Sequence, residues 1–81
     1  MKVPPEKMSP RERLVMAHRY LYYVLGTPTI SDQAYDELEA EVRRTAPPHS
    51  PVHFPGSDRE CDYDGPTIGL AHTCLEDAHG N

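Results

Sequence analysis

Apolar residues recur at helical spacing in two stretches of the first half of the chain. The stripe of the first stretch consists of Leu14, Ala17, Leu21, Val24 and Leu25. The stripe of the second stretch consists of Tyr35, Leu38 and Val42. Spacings of three and four residues are typical of amphipathic helices, so the pattern predicts two helices that bury these stripes against each other.

Signals for helix ends flank the first stripe. Ser9 and Glu12 have the spacing of a capping box, with Pro10 between them at the first helical position. Gly26 stands where a left-handed C-terminal cap would follow the last apolar residue. We therefore expect the first helix to run from about Pro10 to Leu25.

The second stripe has its own boundaries. Pro28 interrupts the connector between the stripes, and Ser31 then offers an N-cap with Asp32 in the first turn. The pair Pro47-Pro48 ends the second helix. Because the connector is short, the two helices are predicted to form an antiparallel hairpin within residues 1–48.

Residues 49–81 differ in composition and are rich in Pro, Gly, His, Ser and Asp. This composition predicts an irregular tail that packs on the hairpin or is partly disordered. Residues 67–78 are expected to form at most a short strand or one turn of helix. The predicted fold class is all-α: a small helical domain built on an antiparallel helical hairpin with an irregular Pro/Gly-rich C-terminal tail.

Composition narrows the classes of function. The chain has 81 residues and a net charge of -5, and its basic residues form no stripe that could neutralise successive phosphates, which argues against autonomous duplex-DNA binding. No apolar run approaches the roughly 20 residues of a membrane span, so we expect a cytoplasmic protein without a membrane partner. Free thiols are the expectation for Cys61 and Cys74.

Candidate binding chemistry gathers where the two helices meet. Asp32, Tyr35 and Asp36 share one face at the start of the second helix, and His18 and Tyr22 lie four apart near the end of the first. Aromatic faces and carboxylates together suit a flat, positively charged ring such as oxidised nicotinamide. Simple packing of the tyrosines, with the aspartates favouring the helix N-terminus, explains the same residues without a ligand.

The sequence here resembles a known family. Residues 18–25 read HRYLYYVL and residues 27–38 read TPTISDQAYDEL. An aromatic-rich helix, a connector with Pro and Ile, and a D-x-x-Y-D motif in this order are similar to the N-terminal Ia domain of bacterial NAD-dependent DNA ligases. The resemblance implies a module that binds NAD through its nicotinamide mononucleotide moiety. The contact residues it implies are Tyr22, Tyr23, Asp32, Tyr35 and Asp36; His18 is a further candidate.

The resemblance implies binding and not catalysis. In the family, nicotinamide mononucleotide is the leaving group when a lysine in a K-x-D-G motif attacks the adenylyl phosphorus. Lys2 and Lys7 are the lysines of these 81 residues and neither precedes x-D-G. The ligand phosphate has no evident clamp, because Arg13 and Arg19 are the only plausible cations of the first helix and both could point to solvent. Affinity for the free ligand should therefore be weak. Ligation would then require a partner, a ligase nucleotidyltransferase chain.

Two alternatives remain open from the sequence. Cys61, His72, Cys74 and His79 are zinc-type ligands, although their spacing matches no common zinc motif. The acidic residues Asp36, Glu37, Glu39 and Glu41 would form an outer face that could dock on a basic protein. The alternative function is therefore a small adaptor or inhibitor that uses the hairpin to bind a partner protein.

Overall fold

A computed structural model describes residues 8–79, and it confirms the all-α fold class. Helix α1 spans Pro10–Arg19 and continues into a π-helical turn at Tyr20–Val24. Helix α2 spans Asp32–Thr45, and helix α3 spans Gly65–His79. Two short 3₁₀ turns, Pro51–His53 and Glu60–Asp62, lie between α2 and α3.

The first helix begins as its sequence predicts. Ser9 accepts a hydrogen bond from the backbone N–H of Glu12 at 3.2 Å, and the Ser9 N–H donates to the Glu12 carboxylate at 3.0 Å. This reciprocal capping box satisfies two N–H groups that the first helical turn leaves unpaired. Gly26, with a φ of 68°, takes the left-handed conformation after the helix end, as expected.

The last turn of this helix differs from the prediction of a uniform α-helix. The N–H of Leu25 donates to the carbonyl of Tyr20 at 3.1 Å, a spacing of five residues that defines a π-helical turn. The N–H of Thr27 then donates to the carbonyl of Leu21 at 2.8 Å, which closes the helix end. Each hydrogen bond of such a turn spans one residue more than in an α-helix, and π-helical turns often occur at functional sites.

The second helix and the antiparallel pairing are confirmed. Ser31 caps α2 by accepting from the N–H of Ala34 at 3.1 Å, and the helix ends at Thr45, just before Pro47. Arg19 at the end of α1 hydrogen bonds to Tyr35 near the start of α2. Earlier residues of α1 pack against later residues of α2, as an antiparallel hairpin requires.

The prediction of at most one helical turn over residues 67–78 is wrong, because α3 is a helix of 15 residues. Asp64 caps it by accepting from the N–H of Thr67 at 2.7 Å, and Pro66 suits the first turn. Gly65 and Gly69 lower the intrinsic helical propensity of this segment, so the sequence alone did not indicate a helix. The division of the chain at residue 48 into a hairpin and a tail stays a prediction.

Helix α1 is central because it packs against both other helices. Against α3 it forms a cluster whose buried members are Ala17, Tyr20, Leu21, Tyr63 and Ala71. Against α2 and the first 3₁₀ turn it forms a second cluster whose buried members are Val15, Val42 and Val52. With its two sides occupied, α1 and the π turn are held firmly, and the end of the π turn is positioned beside the start of α2. Over residues 8–79, no helix combines the length and apolar character needed to cross a membrane.

Candidate functional site

An open cavity of about 270 Å³ lies between the end of the first helix and the start of α2. Its lining residues are His18, Tyr22, Tyr23, Pro28, Ile30, Asp32, Tyr35 and Asp36. The five residues that the family resemblance implies, and His18, thus lie around one pocket. Sequence reasoning did not select Pro28 and Ile30, which form the apolar part of the connector in the wall.

The π turn presents two tyrosine rings at this cavity. Tyr22 is 51% exposed and Tyr23 is 45% exposed, whereas the preceding Tyr20 and Leu21 are buried in the core. The Tyr22 and Tyr23 rings meet edge to face, with centroids 5.0 Å apart and planes at 71°. A flat ligand that stacks on one of these rings therefore meets the other at a steep angle.

Asp32 and Asp36 contribute negative charge to the pocket from the first two turns of α2. Both side chains are exposed and line the cavity. Within the part of the chain that the structure describes, neither carboxylate forms a hydrogen bond or an ion pair. Four oxygen atoms are therefore available to accept hydrogen bonds from a ligand and to attract a positive charge.

The Tyr35 hydroxyl is fixed by a largely buried hydrogen-bond network with Arg19 and Glu39. Arg19 is only 3% exposed, and its Nε donates to the Tyr35 hydroxyl at 2.9 Å. That hydroxyl donates to Oε2 of Glu39 at 2.9 Å, and Nη2 of Arg19 donates to the same oxygen at 2.7 Å. The Tyr35 hydroxyl therefore hydrogen bonds within the protein, and its aromatic ring is the part of the residue that can contact a ligand in the cavity.

This network corrects two expectations from the sequence. Arg19 was a candidate for contact with a ligand phosphate, but its guanidinium faces the interior and also donates to three backbone carbonyls, those of Pro51, Val52 and Phe54. Glu39 is predicted to lie on the acidic outer face of α2, but its carboxylate forms an ion pair with the buried Arg19. A Tyr35–Glu39 spacing of four residues was the available signal, since such pairs adjoin on a helix.

The network also sets protonation states. Burial, together with the hydrogen bond to Glu39, raises the pKa of Tyr35 to about 12 against the opposing effect of Arg19, so the residue stays a neutral phenol. Burial tends to raise the pKa of Glu39, but hydrogen bonds from Arg19 and Tyr35 outweigh it and hold that pKa below its usual value. Glu39 therefore remains a carboxylate at neutral pH.

His18 lines the cavity and is only 8% exposed. Burial lowers its pKa from the usual value of 6.5 because the charged imidazolium loses hydration. At neutral pH the ring is therefore uncharged. A neutral imidazole carries one N–H donor and one acceptor nitrogen, either of which can serve a polar ligand group.

These pKa shifts predict that acid destabilises the protein in two steps. His18 has a lower pKa folded than unfolded, so its contribution is fully present above about 6.5 and is lost as the pH falls below that value. Glu39 behaves likewise at lower pH, beginning near its ordinary value of 4.5. We expect the urea midpoint of unfolding to fall as the pH drops from 7 to 5. In His18→Gln the midpoint should depend much less on pH over this interval. An equally steep fall in the variant would contradict the assignment to His18.

Of the zinc-type residues, Cys61, His72 and Cys74 do not form a metal-binding group, and the side chain of His79 lies outside the described part of the chain. Cys61 is exposed in the second 3₁₀ turn and Cys74 lies in α3, and no disulfide joins them. Among the residues described, no group of three or more His, Cys, Asp or Glu side chains is arranged to hold a metal ion.

Comparisons with known proteins point to one family. A family model described as the DNA ligase-like, N-terminal NAD+-binding domain matches residues 1–53. A DNA ligase of Porphyromonas gingivalis is 36% identical over 92 aligned positions, which cover 98% of this chain and 14% of that protein. A DNA ligase of Thermomicrobium roseum is 36% identical over 86% of this chain, and one of Frankia casuarinae is 48% identical over 49% of it.

The chain spans only about a seventh of the Porphyromonas gingivalis relative, and 10% and 6% of the other two. The similarity therefore concerns one small part of a ligase. The search of solved structures returned no match.

Proposed function

We propose that this chain, which belongs to the family of DNA ligase-like, N-terminal NAD+-binding domains, binds the nicotinamide mononucleotide half of NAD+ in the pocket between its first two helices. The observation that carries the proposal is the composition of that pocket. It combines exposed tyrosine rings with two carboxylates that have no partner among the described residues. This combination suits a ligand that is flat, aromatic and positively charged.

Oxidised nicotinamide has those properties. Its pyridinium ring carries a positive charge, which aromatic faces attract within about 6 Å. Asp32 and Asp36 add Coulomb attraction and accept hydrogen bonds from a carboxamide N–H or from ribose hydroxyls. Because burial keeps His18 uncharged, it brings no positive charge that would oppose the ring.

The size of the cavity favours half of the dinucleotide over the whole. Its volume of about 270 Å³ is slightly below the range of roughly 300–1,000 Å³ typical of pockets for drug-sized ligands. A nicotinamide ring with its ribose matches such a space, and the adenylate half would extend beyond it. The buried Arg19 gives the phosphate no partner here, which is consistent with weak binding of the free mononucleotide.

We further propose that the module acts as an accessory part of an NAD+-dependent DNA ligase. It would hold the nicotinamide mononucleotide while adenylyl transfer takes place on residues outside these 81. The residues that supply this chemistry would belong to a ligase nucleotidyltransferase domain, which is the partner we propose. The large share of each ligase relative that lies outside the alignment is consistent with this division of roles.

A nuclear magnetic resonance titration tests the binding proposal. The ¹⁵N-labelled chain is titrated separately with nicotinamide mononucleotide, NAD+ and AMP. We expect amide shifts around Tyr22, Asp32 and Asp36 with the first two ligands and none there with AMP. No response to nicotinamide mononucleotide up to millimolar concentration would reject the site.

Asp36→Asn provides the matched variant for this experiment. Removing a charge-assisted hydrogen bond costs about 1.5–3 kcal/mol, so affinity for nicotinamide mononucleotide should fall roughly 10- to 100-fold. Asp58→Asn makes the same chemical change at an exposed position that does not line the pocket and should leave affinity unchanged. Equal affinities for the two variants would remove Asp36 from the binding set.

A further inference from the structure

The segment Pro51–Gly56, which follows α2, does not line the pocket but is anchored to the two helices that form it. Ser50 is buried and accepts a hydrogen bond from the N–H of Val52 at 3.4 Å. The Val52 side chain is fully buried in the cluster between α1 and α2. The segment therefore has a definite position relative to both helices that form the pocket.

Its first link to the pocket runs through Arg19. The guanidinium donates to the carbonyls of Pro51, Val52 and Phe54 at 3.0, 2.8 and 2.8 Å. The Nε–H of the same group donates to the Tyr35 hydroxyl. A planar guanidinium has fixed donor directions, so the position of the three carbonyls determines where the Tyr35 hydroxyl is held.

Its second link is a direct contact between Gly56 and the Tyr23 ring. A Cβ atom built on Gly56 would lie 2.6 Å from Cδ2 and 3.0 Å from Cζ of Tyr23, and closer still to Cε2. The same construction at Gly26, Gly65 or Gly69 meets no atom within 4 Å. The φ of Gly56 is not positive, so the backbone there does not demand glycine. The small residue is required by the tyrosine ring that packs on it.

We infer that the segment Pro51–Gly56 is the positioning element of the pocket, holding Tyr35 through Arg19 and Tyr23 through Gly56. Two of the aromatic walls then depend on residues that do not line the cavity. This inference deepens the proposed nicotinamide site, on which its ligand-binding part rests. Gly56 is the positioning residue that can be tested without disturbing the buried network.

Gly56→Ala is the test variant, and Gly69→Ala is its control. Tyr23 is 45% exposed, so its ring can swing towards solvent when a methyl group is added, and the fold should persist. Gly69 has open space around it, and alanine there should if anything favour α3. Losing a well-placed aromatic contact of about 0.5–1.5 kcal/mol should weaken binding of nicotinamide mononucleotide by roughly 2- to 13-fold in Gly56→Ala alone.

A double-mutant cycle separates positioning from a general structural effect. In a Tyr23→Ala background there is no ring to displace, so adding Gly56→Ala should cause no further loss of affinity. An equal loss in both backgrounds would overturn the inference, as would wild-type affinity in the single variant.

A second readout needs no ligand. Aromatic ¹H–¹³C spectra should show the Tyr23 ring resonances moving in Gly56→Ala but not in Gly69→Ala, with helical circular dichroism unchanged in both. Unmoved Tyr23 resonances would overturn the inference even if binding changed. If the ring moves as expected while the wild type fails to bind nicotinamide mononucleotide, the proposed function fails and the positioning contact stands.

Discussion

Replacing Arg19 with methionine is expected to lower the free energy of unfolding by about 3–5 kcal/mol, the usual cost of removing one partner of a buried ion pair. The substitution leaves Glu39 with only the longer ion pair to Arg43, at 3.8 Å, and deprives the carbonyls of Pro51, Val52 and Phe54 of their donor. The free energy of unfolding of a chain of 81 residues amounts to roughly 4–12 kcal/mol, so the substitution would remove a large fraction of the stability. Urea unfolding followed by circular dichroism at 222 nm measures the change.

Two companion variants identify the cause. Arg44→Met makes the same chemical change at an exposed position of α2 and should alter stability by less than about 0.5 kcal/mol. Arg19→Lys keeps the charge but replaces the planar, five-donor group by a compact ammonium, so most of the loss should remain. A lysine variant as stable as the wild type would show that charge alone, without the geometry of the guanidinium, supports the network.

Replacing Leu21 with alanine is expected to cost about 2–5 kcal/mol, the range for truncating a buried leucine. Leu21 is the largest fully buried side chain of the described residues, and it lies in the π turn where α1 packs against α3. A chain this short has a thin core, so little surrounding structure can relax into the cavity. The same substitution should also disturb the pocket, because Tyr22 and Tyr23 follow directly along the turn.

Leu25→Ala is the matched control for this second prediction. Leu25 is 37% exposed at the end of the same turn, so its truncation removes far less buried surface. A stability difference of about 2 kcal/mol between the two variants would separate their thermal unfolding midpoints by about 8–16 °C, at roughly 4–8 °C per kcal/mol for a domain of this size. Midpoints within the experimental error of each other would mean that Leu21 does not carry the packing assigned to it.

The helical hairpin could be predicted from the sequence because its signals are local. A capping box needs only Ser9 and Glu12 at the right spacing, and both hydrogen bonds form within one helical turn. The D-x-x-Y-D spacing likewise places Asp32 and Asp36 on one face of α2 whatever the rest of the chain does. These features follow from the period of a helix, which the sequence carries directly.

Helix α3 could not be predicted in the same way because its stability depends on a partner. Its N-terminal signal, Asp64 followed by Pro66, was present but accompanied by two glycines that disfavour a helix. Packing of Ala71 and its neighbours against α1 supplies what the intrinsic propensity lacks. Short helices in proteins generally owe most of their stability to such tertiary burial.

The sequence by itself determined the helix caps and the face of α2 that carries Asp32, Tyr35 and Asp36, because each of these depends on residues no more than a few positions apart. The short connector predicted the hairpin, and the family resemblance implied the full set of nicotinamide contacts. The tertiary structure alone decided that Arg19 is buried and not available to a phosphate, that Glu39 faces inward, and that Gly56 meets Tyr23. Those contacts join residues 20 to 35 positions apart. Local spacing places Glu39 beside Tyr35 on α2, but only the packing of the helices brings Arg19 to both of them and Gly56 to Tyr23.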